Sequence, residues 1–398
     1  MRTEHIRESS STVLSLTNQQ VSALRKLGAE LASKKGWWGG DDLASEDRSV
    51  VSCLWNGDDK WEVMVRNAIG VISTVDLQLI VEPKIALEHF LHVLRFATSM
   101  PRLVPSPAEL VKYKSFWNVI VAWFLNALHI AFRGGLIRDY TETTEVLPYV
   151  RGRTAYIDAI RRYQRGVLEF DCTFEDFQSD TSLNRVLKAA AQRVVSFGPS
   201  SAAARRFVLL LDDVGQLRYG DMRFEIDRRT ARYADAFLLA KLILANSGRS
   251  LLEGQEKAWT FLIRTPEVIE NGIRAILQKH FGQSSVSKEG RKFGALTLNP
   301  DLLFSTGNIA DIKYKLNKPD WHRPDLYEVV AFATGFGAAR AAIINFRTNL
   351  NGEPQASFDV GPIKVSNICW DCASFRDPET AESAFVEAIG NWNTFAVT

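Results

Sequence analysis

The chain has 398 residues, 46% apolar and 24% charged, with 48 Lys and Arg against 46 Asp and Glu for a net charge of +2. That length fits two or three domains around well-buried cores, while four cysteines, Cys53, Cys172, Cys369 and Cys372, are too few and too unevenly spaced for a disulfide framework. The near-neutral total argues neither for nor against nucleic acid, and no apolar run reaches the roughly twenty residues of a membrane span, so a cytoplasmic protein with no membrane partner is expected.

The opening MRTEHIRESSS has no apolar core of a signal peptide. A helix is expected over 18–34, followed by Trp37-Trp38-Gly39-Gly40, which reads as an anchor for that helix or as a surface for stacking on a base. Strands are expected over 50–55, 61–65, 68–73 and 77–81, with Asn56-Gly57 as a turn, making a small β-rich domain that ends at Pro83-Lys84. Helical periodicity covers 87–98 and 107–132; His89 and His92, spaced i and i+3 without a third ligand, read as helix-surface residues. Within 116–132, the nearest approach to a membrane span, Asn118, Asn126 and His129 interrupt the apolar run. Residues 134–155 read as a turn-rich connection, and 179–182 offer caps for an amphipathic helix. Residues 151–250 carry 17 Lys and Arg against 12 Asp and Glu, compatible with phosphate contacts or with solvated helix faces. Residues 205–211 before Asp212-Asp213 look like the acidic strand of a nucleotide hydrolase, but no G-x-x-x-x-G-K-[ST] loop exists to hold phosphates. Helices are expected over 238–245 and 256–277. Cys369-Trp370-Asp371-Cys372 lacks the second pair a zinc site needs and reads as two small buried residues in a β-rich terminal segment.

The most informative stretch is 296–315, LTLNPDLLFSTGNIADIKYK. Two apolar runs, 296–304 and 309–315, flank Ser305-Thr306-Gly307-Asn308, a hairpin signal. Alternation along a strand puts Asp311 and Lys313 on one side and Ala310, Ile312 and Tyr314 on the other, with Asp301 able to face the same pocket. Two carboxylates at close range raise each other's pKa, and a divalent cation removes that penalty; hard oxygen ligands suit Mg2+, with Mn2+ as an alternative. The spacing of Pro300-Asp301 and Asp311-Ile312-Lys313 resembles the PD-(D/E)XK nuclease superfamily.

The order of further pieces extends the resemblance: Arg66-Asn67-Ala68-Ile69-Gly70-Val71-Ile72, Pro83-Lys84-Ile85, Gly135-Leu136 with Asp139-Tyr140, Arg151-Gly152-Arg153, and Asn184-Arg185-Val186-Leu187-Lys188. Over roughly 50–350 the chain resembles the McrC family, the nuclease subunit of McrBC-type modification-dependent restriction systems. The resemblance implies an α+β multidomain protein with three parts: a β-rich N-terminal domain (1–115) that docks on a McrB-like AAA+ GTPase hexamer and stimulates it, a helical middle region (116–250), and a C-terminal α/β PD-(D/E)XK nuclease domain with a mixed central sheet (251–398). It implies double-stranded DNA, methylated or otherwise modified (5-methylcytosine), as substrate. Asp301, Asp311, the Ile312 carbonyl and Glu270 are then implied to hold Mg2+, with Lys313 beside the attacking water. Glu270 matches the family's acid, although Ile269 replaces its aromatic neighbour, and Glu267 competes for the role. Where the family has D-x-Y-Q, this chain reads Asp325-Leu326-Tyr327-Glu328, which makes Glu328 a site neighbour and Tyr327 a core residue. Arg66 and Lys84 are implied candidates for the partner's nucleotide site. An autonomous nuclease in repair or phage defence, and a catalytically inactive activator of an AAA+ partner, remain alternatives.

Overall fold

The computed structural model describes residues 2–33, 50–74, 76–97, 116–197, 201–251, 257–316, 320–349 and 357–394. The expected Trp37-Trp38 anchor and the start of the 107–132 helix lie outside them. The chain divides into two compact units, residues 1–119 with 248–398, and residues 120–247. In chain order the first elements are β1 (Arg2–Arg7), β2 (Thr12–Ser15), α1 (Asn18–Ser33), β3 (Val51–Trp55), β4 (Lys60–Val65), β5 (Ala68–Ser73), β6 (Leu77–Glu82), α2 (Leu87–Ala97) and α3 (Phe116–Phe132). The middle holds β7 (Asp139–Leu147), β8 (Arg153–Thr154), α4 (Tyr156–Tyr163), β9 (Phe170–Gln178), α5 (Ser182–Phe197), α6 (Ser201–Leu210) and α7 (Ala234–Asn246). The last part holds β10 (Ser247–Leu251), β11 (Lys257–Arg264), α8 (Thr265–Phe281), β12 (Val286–Ser287), β13 (Arg291–Phe293), β14 (Leu296–Leu298), β15 (Leu302–Phe304), β16 (Ile309–Leu316), α9 (Arg323–Phe336), β17 (Arg340–Arg347), β18 (Ser357–Val360), β19 (Ile363–Asp371) and α10 (Pro378–Asn393).

The discontinuous unit is built on two main sheets. The first has the order β1-β6-β5-β11-β10, so residues 257–264 complete a sheet begun by the N-terminal strands. Here the sequence expectation fails: 257–264 is a strand, and the helix expected from 256 starts at Thr265. The reason is local, because Thr260-Phe261-Leu262-Ile263 favours a pleated surface and Pro266 suits the first turn of a helix. Pairing of β11 with β5 sets Phe261 opposite Val71. It also requires Gly70, at φ +139°, since a Cβ there would lie 1.9 Å from the Phe261 carbonyl oxygen. Ile6, Leu24, Val63, Leu79 and Leu262 belong to the core around this sheet and a smaller one, β2-β4-β3.

The second sheet runs β12-β15-β16-β17-β19-β18 and is mixed: β16, β17 and β19 are parallel neighbours, and the outer strands are antiparallel. The expected hairpin forms between β15 and β16, but 296–298 pairs instead with β13, because the chain breaks at Asn299-Pro300-Asp301. Helix α9 adds Val329, Phe332 and Ala333 to a core with Ile309, Ala341 and Val365. Trp370 of β19 lies 5.4 Å, ring to ring, from Phe385 of α10. Gly272 lets α8 approach α2, its position for a Cβ being 2.4 Å from Val93. His89 and His92, expected on a helix surface, are both buried. The reason is polar pairing in the core: His89 Nδ1 accepts from Trp370 Nε1 at 3.0 Å, and His92 Nε2 meets a Glu382 carboxylate oxygen at 2.5 Å.

In the unit 120–247, part of the middle region expected to be helical is β-structure. Residues 139–147 pair with 170–178 in a nine-residue antiparallel ladder, joined by β8. The Thr-rich, mostly exposed β7 carries little apolar alternation, so its strand character was hidden among turn signals. Arg185 and Lys188 of α5, counted in the basic region, are buried; Arg185 holds Asp221 at 2.9 Å and Lys188 donates to the Asp212 carbonyl at 3.2 Å. Large apolar side chains stand exposed on α4 and the flanking strands, among them Tyr140, Ile157, Ile160, Tyr163 and Phe177. No described helix is long and apolar enough to cross a membrane.

Candidate active site

Four segments of the discontinuous unit bring the candidate residues together: the bend before β15 (Asp301), β16 (Asp311, Lys313), α8 (Glu270) and α9 (Glu328). The break at Pro300 turns Asp301 so that its Oδ2 accepts from the Ile312 amide at 3.0 Å, while Arg274 donates to its carbonyl at 3.2 Å. Asp301 Oδ1 lies 2.9 Å from Lys288 Nζ, and the same ammonium lies 3.1 Å from Glu270 Oε2. Lys288 therefore bridges two of the expected acids. Sequence reading missed it, because it sits in a polar loop after β12 and its contacts join distant segments. Glu267, the competing acid, is exposed, so α8 presents Glu270 and not Glu267 toward Asp301.

On β16, alternation delivers Asp311 and Lys313 to one side, their charges 2.6 Å apart, and Glu328 of α9 meets Lys313 from the other direction at 2.7 Å. Asp311 Oδ2 is buried and has no partner in hydrogen-bond geometry. Burial pushes the Asp311 carboxyl up; Lys313 opposes that shift and the Asp301 and Glu328 charges reinforce it, leaving the group at about 7. Burial likewise raises Glu270, helped by the Asp301 charge and resisted by Lys288. Lys313 is held protonated, because Asp311 and Glu328 outweigh the cost of its burial.

Ile312 offers Asp301 its N–H; that is the contact the geometry gives it. Tyr327, expected in the core, is 65% exposed beside Glu328. Lys84, named with Arg66 as a candidate for the partner's nucleotide site, is largely buried against β16, its Nζ 3.0 Å from the Tyr314 carbonyl. A cavity of about 340 Å3 opens next to Lys313 and is lined also by Arg7, Lys84, Lys315, His322 and Asn345. Three acids also line it: Glu8 and Asp325 pair with Lys84 and Lys315, and Asp320 is the third. Cys369 and Cys372 are free thiols pushed up to about 12 by burial and by Asp371, which makes them poor metal ligands.

Among the described residues, no group of three or more His, Cys, Asp or Glu forms a closed metal cage. The acids are instead interleaved with ammonium groups, Lys288 between Glu270 and Asp301 and Lys313 between Asp311 and Glu328. The donor set still fits a hard divalent cation: all candidate ligands are oxygens, and two of the acids, Glu270 and Asp311, are raised by burial in spite of Lys288 and Lys313 beside them.

A family described as McrBC 5-methylcytosine restriction system component matches residues 63–345. No curated protein matches the chain. Among solved structures, a chain from the refined half-complex of a tetradecameric assembly of Thermococcus gammatolerans McrB AAA+ hexamers with bound McrC is similar at TM-score 0.69 and 16% identity, over 98% of this chain and 100% of that one. A chain from the cryo-EM structure of the Thermococcus gammatolerans McrBC complex gives TM-score 0.53 and 14% identity, over 98% and 99%.

Proposed function

The chain belongs to the family of McrBC 5-methylcytosine restriction system components, and from that membership we propose that it is the DNA-cutting subunit of such a system, a Mg2+-dependent endonuclease of PD-(D/E)XK type that works with a McrB-like AAA+ GTPase hexamer. The observation that carries the reading is the convergence of Asp301, Asp311 and Glu270 with Lys313, beside the chain break that precedes β15. In this reading Asp301, Asp311 and Glu270 hold the cation, and Lys288 withdraws from the carboxylates it now bridges. A bound Mg2+ would acidify a coordinated water and offset charge on the scissile phosphate. Lys313, kept protonated and oriented by Glu328, faces that phosphate and positions the attacking water. The basic lining of the adjacent cavity suits the sugar–phosphate chain.

Two surfaces are candidates for holding the partner. The sequence resemblance assigns docking to the N-terminal β-rich part. The exposed tyrosines and isoleucines of α4 and its flanking strands favour the unit 120–247 as a second, apolar contact. One observation favours a second reading, that of an activator without nuclease activity: Lys313 is engaged from both sides, by Asp311 and by Glu328.

The test is cleavage of methylated and unmethylated plasmid with Mg2+ by the purified chain, with and without its AAA+ partner and GTP. Methylated DNA cut only with partner and GTP is expected. Asp301→Ala, Asp311→Ala and Lys313→Ala should each lower cutting by about a thousandfold or more while leaving partner GTP hydrolysis stimulated. Stimulated hydrolysis with no cutting by the wild type would establish the activator instead, and cutting by the chain alone an autonomous nuclease.

A further inference from the structure

We infer that Lys84, contributed by the loop that leaves the first sheet, is a positioning residue for the nuclease centre, holding the bulged stretch of β16 that aims Lys313. The inference rests on the nuclease reading above. Strands β16 and β17 pair in register from Ile309 to Ile312, after which β16 advances four residues to Leu316 while β17 advances two, from Ile344 to Phe346. Lys313, Tyr314 and Lys315 occupy that irregularity. A bulge re-aims side chains and takes backbone groups out of the ladder, and a buried carbonyl so released needs a donor.

Lys84 supplies it. Its Nζ donates to the Tyr314 carbonyl at 3.0 Å, its backbone N–H donates to the Tyr314 hydroxyl at 3.2 Å, and its ammonium stands 4.6 Å from the centre of the Tyr314 ring. One residue thus grips Tyr314 at three points, between Lys313, which points into the site, and Lys315, which lines the adjacent cavity and pairs with Asp325. The ammonium is in turn held by Glu8 at 3.7 Å, a carboxylate with a fully buried side chain. Thr265, first residue of α8, donates to the same carboxylate. The network therefore reaches both elements that carry the nuclease acids: β16 through Tyr314, and α8, five residues ahead of Glu270, through Thr265. Burial lowers Lys84 and raises Glu8, and each group restrains the other's shift, as expected for a pair kept for its geometry at a desolvation cost.

The test replaces Lys84→Met together with Glu8→Gln, so that neither change leaves a lone buried charge, in the full chain assayed with its AAA+ partner, GTP, Mg2+ and methylated plasmid. The single-turnover cleavage rate at saturating DNA should fall at least about tenfold, with DNA affinity within about twofold and the melting temperature within a few degrees of wild type. Hydrogen exchange of a peptide covering 309–316 should quicken at the same time. Tyr314→Phe, which removes only the hydroxyl contact, should give a smaller loss of the same kind and serves as the readout if the double variant does not fold. Wild-type rate in both variants, or a loss confined to DNA affinity, overturns the inference. A wild-type chain that cuts no better than Asp311→Ala ends the nuclease reading itself, and this inference with it.

Discussion

Asp311 is the residue at which sequence and site chemistry meet most directly. The D-x-K spacing and strand alternation were enough to place Asp311 and Lys313 side by side, because both follow from two-residue periodicity alone. Lys288 was illegible, since its partners Asp301 and Glu270 lie 13 and 18 residues away and nothing local marks it. Tyr327 was misread for a similar reason: its apolar neighbours suggested burial, while the helix turns it outward. The raised Asp311 has a consequence for metal binding. With the carboxyl at about 7, burial being the main cause, the site carries a proton below that pH and releases it above. A cation must displace that proton, so Mg2+ affinity should weaken by up to about tenfold for each pH unit below 7 and level off above it. Titration calorimetry in two buffers of different ionisation enthalpy would show the accompanying proton release. An affinity unchanged between about pH 8 and about pH 6 would refute the assignment of Asp311 as a ligand.

At the level of elements, strands with a clear apolar face were read correctly, as β3 to β6 show, and two kinds were not. β7 alternates only between half-buried and exposed positions, and its half-buried face is largely Asp and Thr, so it carries no apolar alternation to read. β11 runs straight into α8 with no turn between them, so the two were read as one helix although Thr260-Phe261-Leu262-Ile263 favours a strand. The junction of α2, α8 and α10 was also invisible in sequence, because it is made by polar groups. Glu382 of α10 faces His92 at 2.5 Å, His280 at 2.7 Å and Lys279 at 3.0 Å. Burial raises the carboxyl, but the hydrogen bonds from His92, His280 and Lys279 outweigh it and hold Glu382 at about 2. A carboxyl depressed on folding contributes stability that is complete above its unfolded value, 4.5, and is lost as pH falls toward 2. Glu382→Gln should therefore cost about 3 kcal/mol near neutral pH, with the gap to wild type closing as pH falls through that window. Chemical denaturation across the range would measure it, and a pH-independent gap would mean that Glu382 acts through packing alone.

For the whole molecule, the sequence pointed to an N-terminal block and a nuclease block, whereas β11 crosses between them and joins a sheet with β1, β5 and β6. No local pattern could report this, since β5 and its partner are separated by the entire middle unit. A fragment of residues 251–398 accordingly lacks the strand that β11 pairs with and the helix α2 against which Gly272 packs. It should show no cooperative thermal transition by circular dichroism, while the full chain does; a sharp melt of the fragment would show that the C-terminal part folds alone. The same crossing matters during synthesis. The β5 stretch Ala-Ile-Gly-Val-Ile-Ser is buried at every position in the finished protein. Its partner strand is complete only about 190 residues later, roughly 10 to 40 s at ordinary ribosome speeds. For that interval a nascent chain carries an open, apolar strand edge that any similar strand can occupy. Chains terminated inside the middle unit never close it, so interrupted translation should yield aggregates, and a pool of free chaperone should set how much active protein a cell obtains.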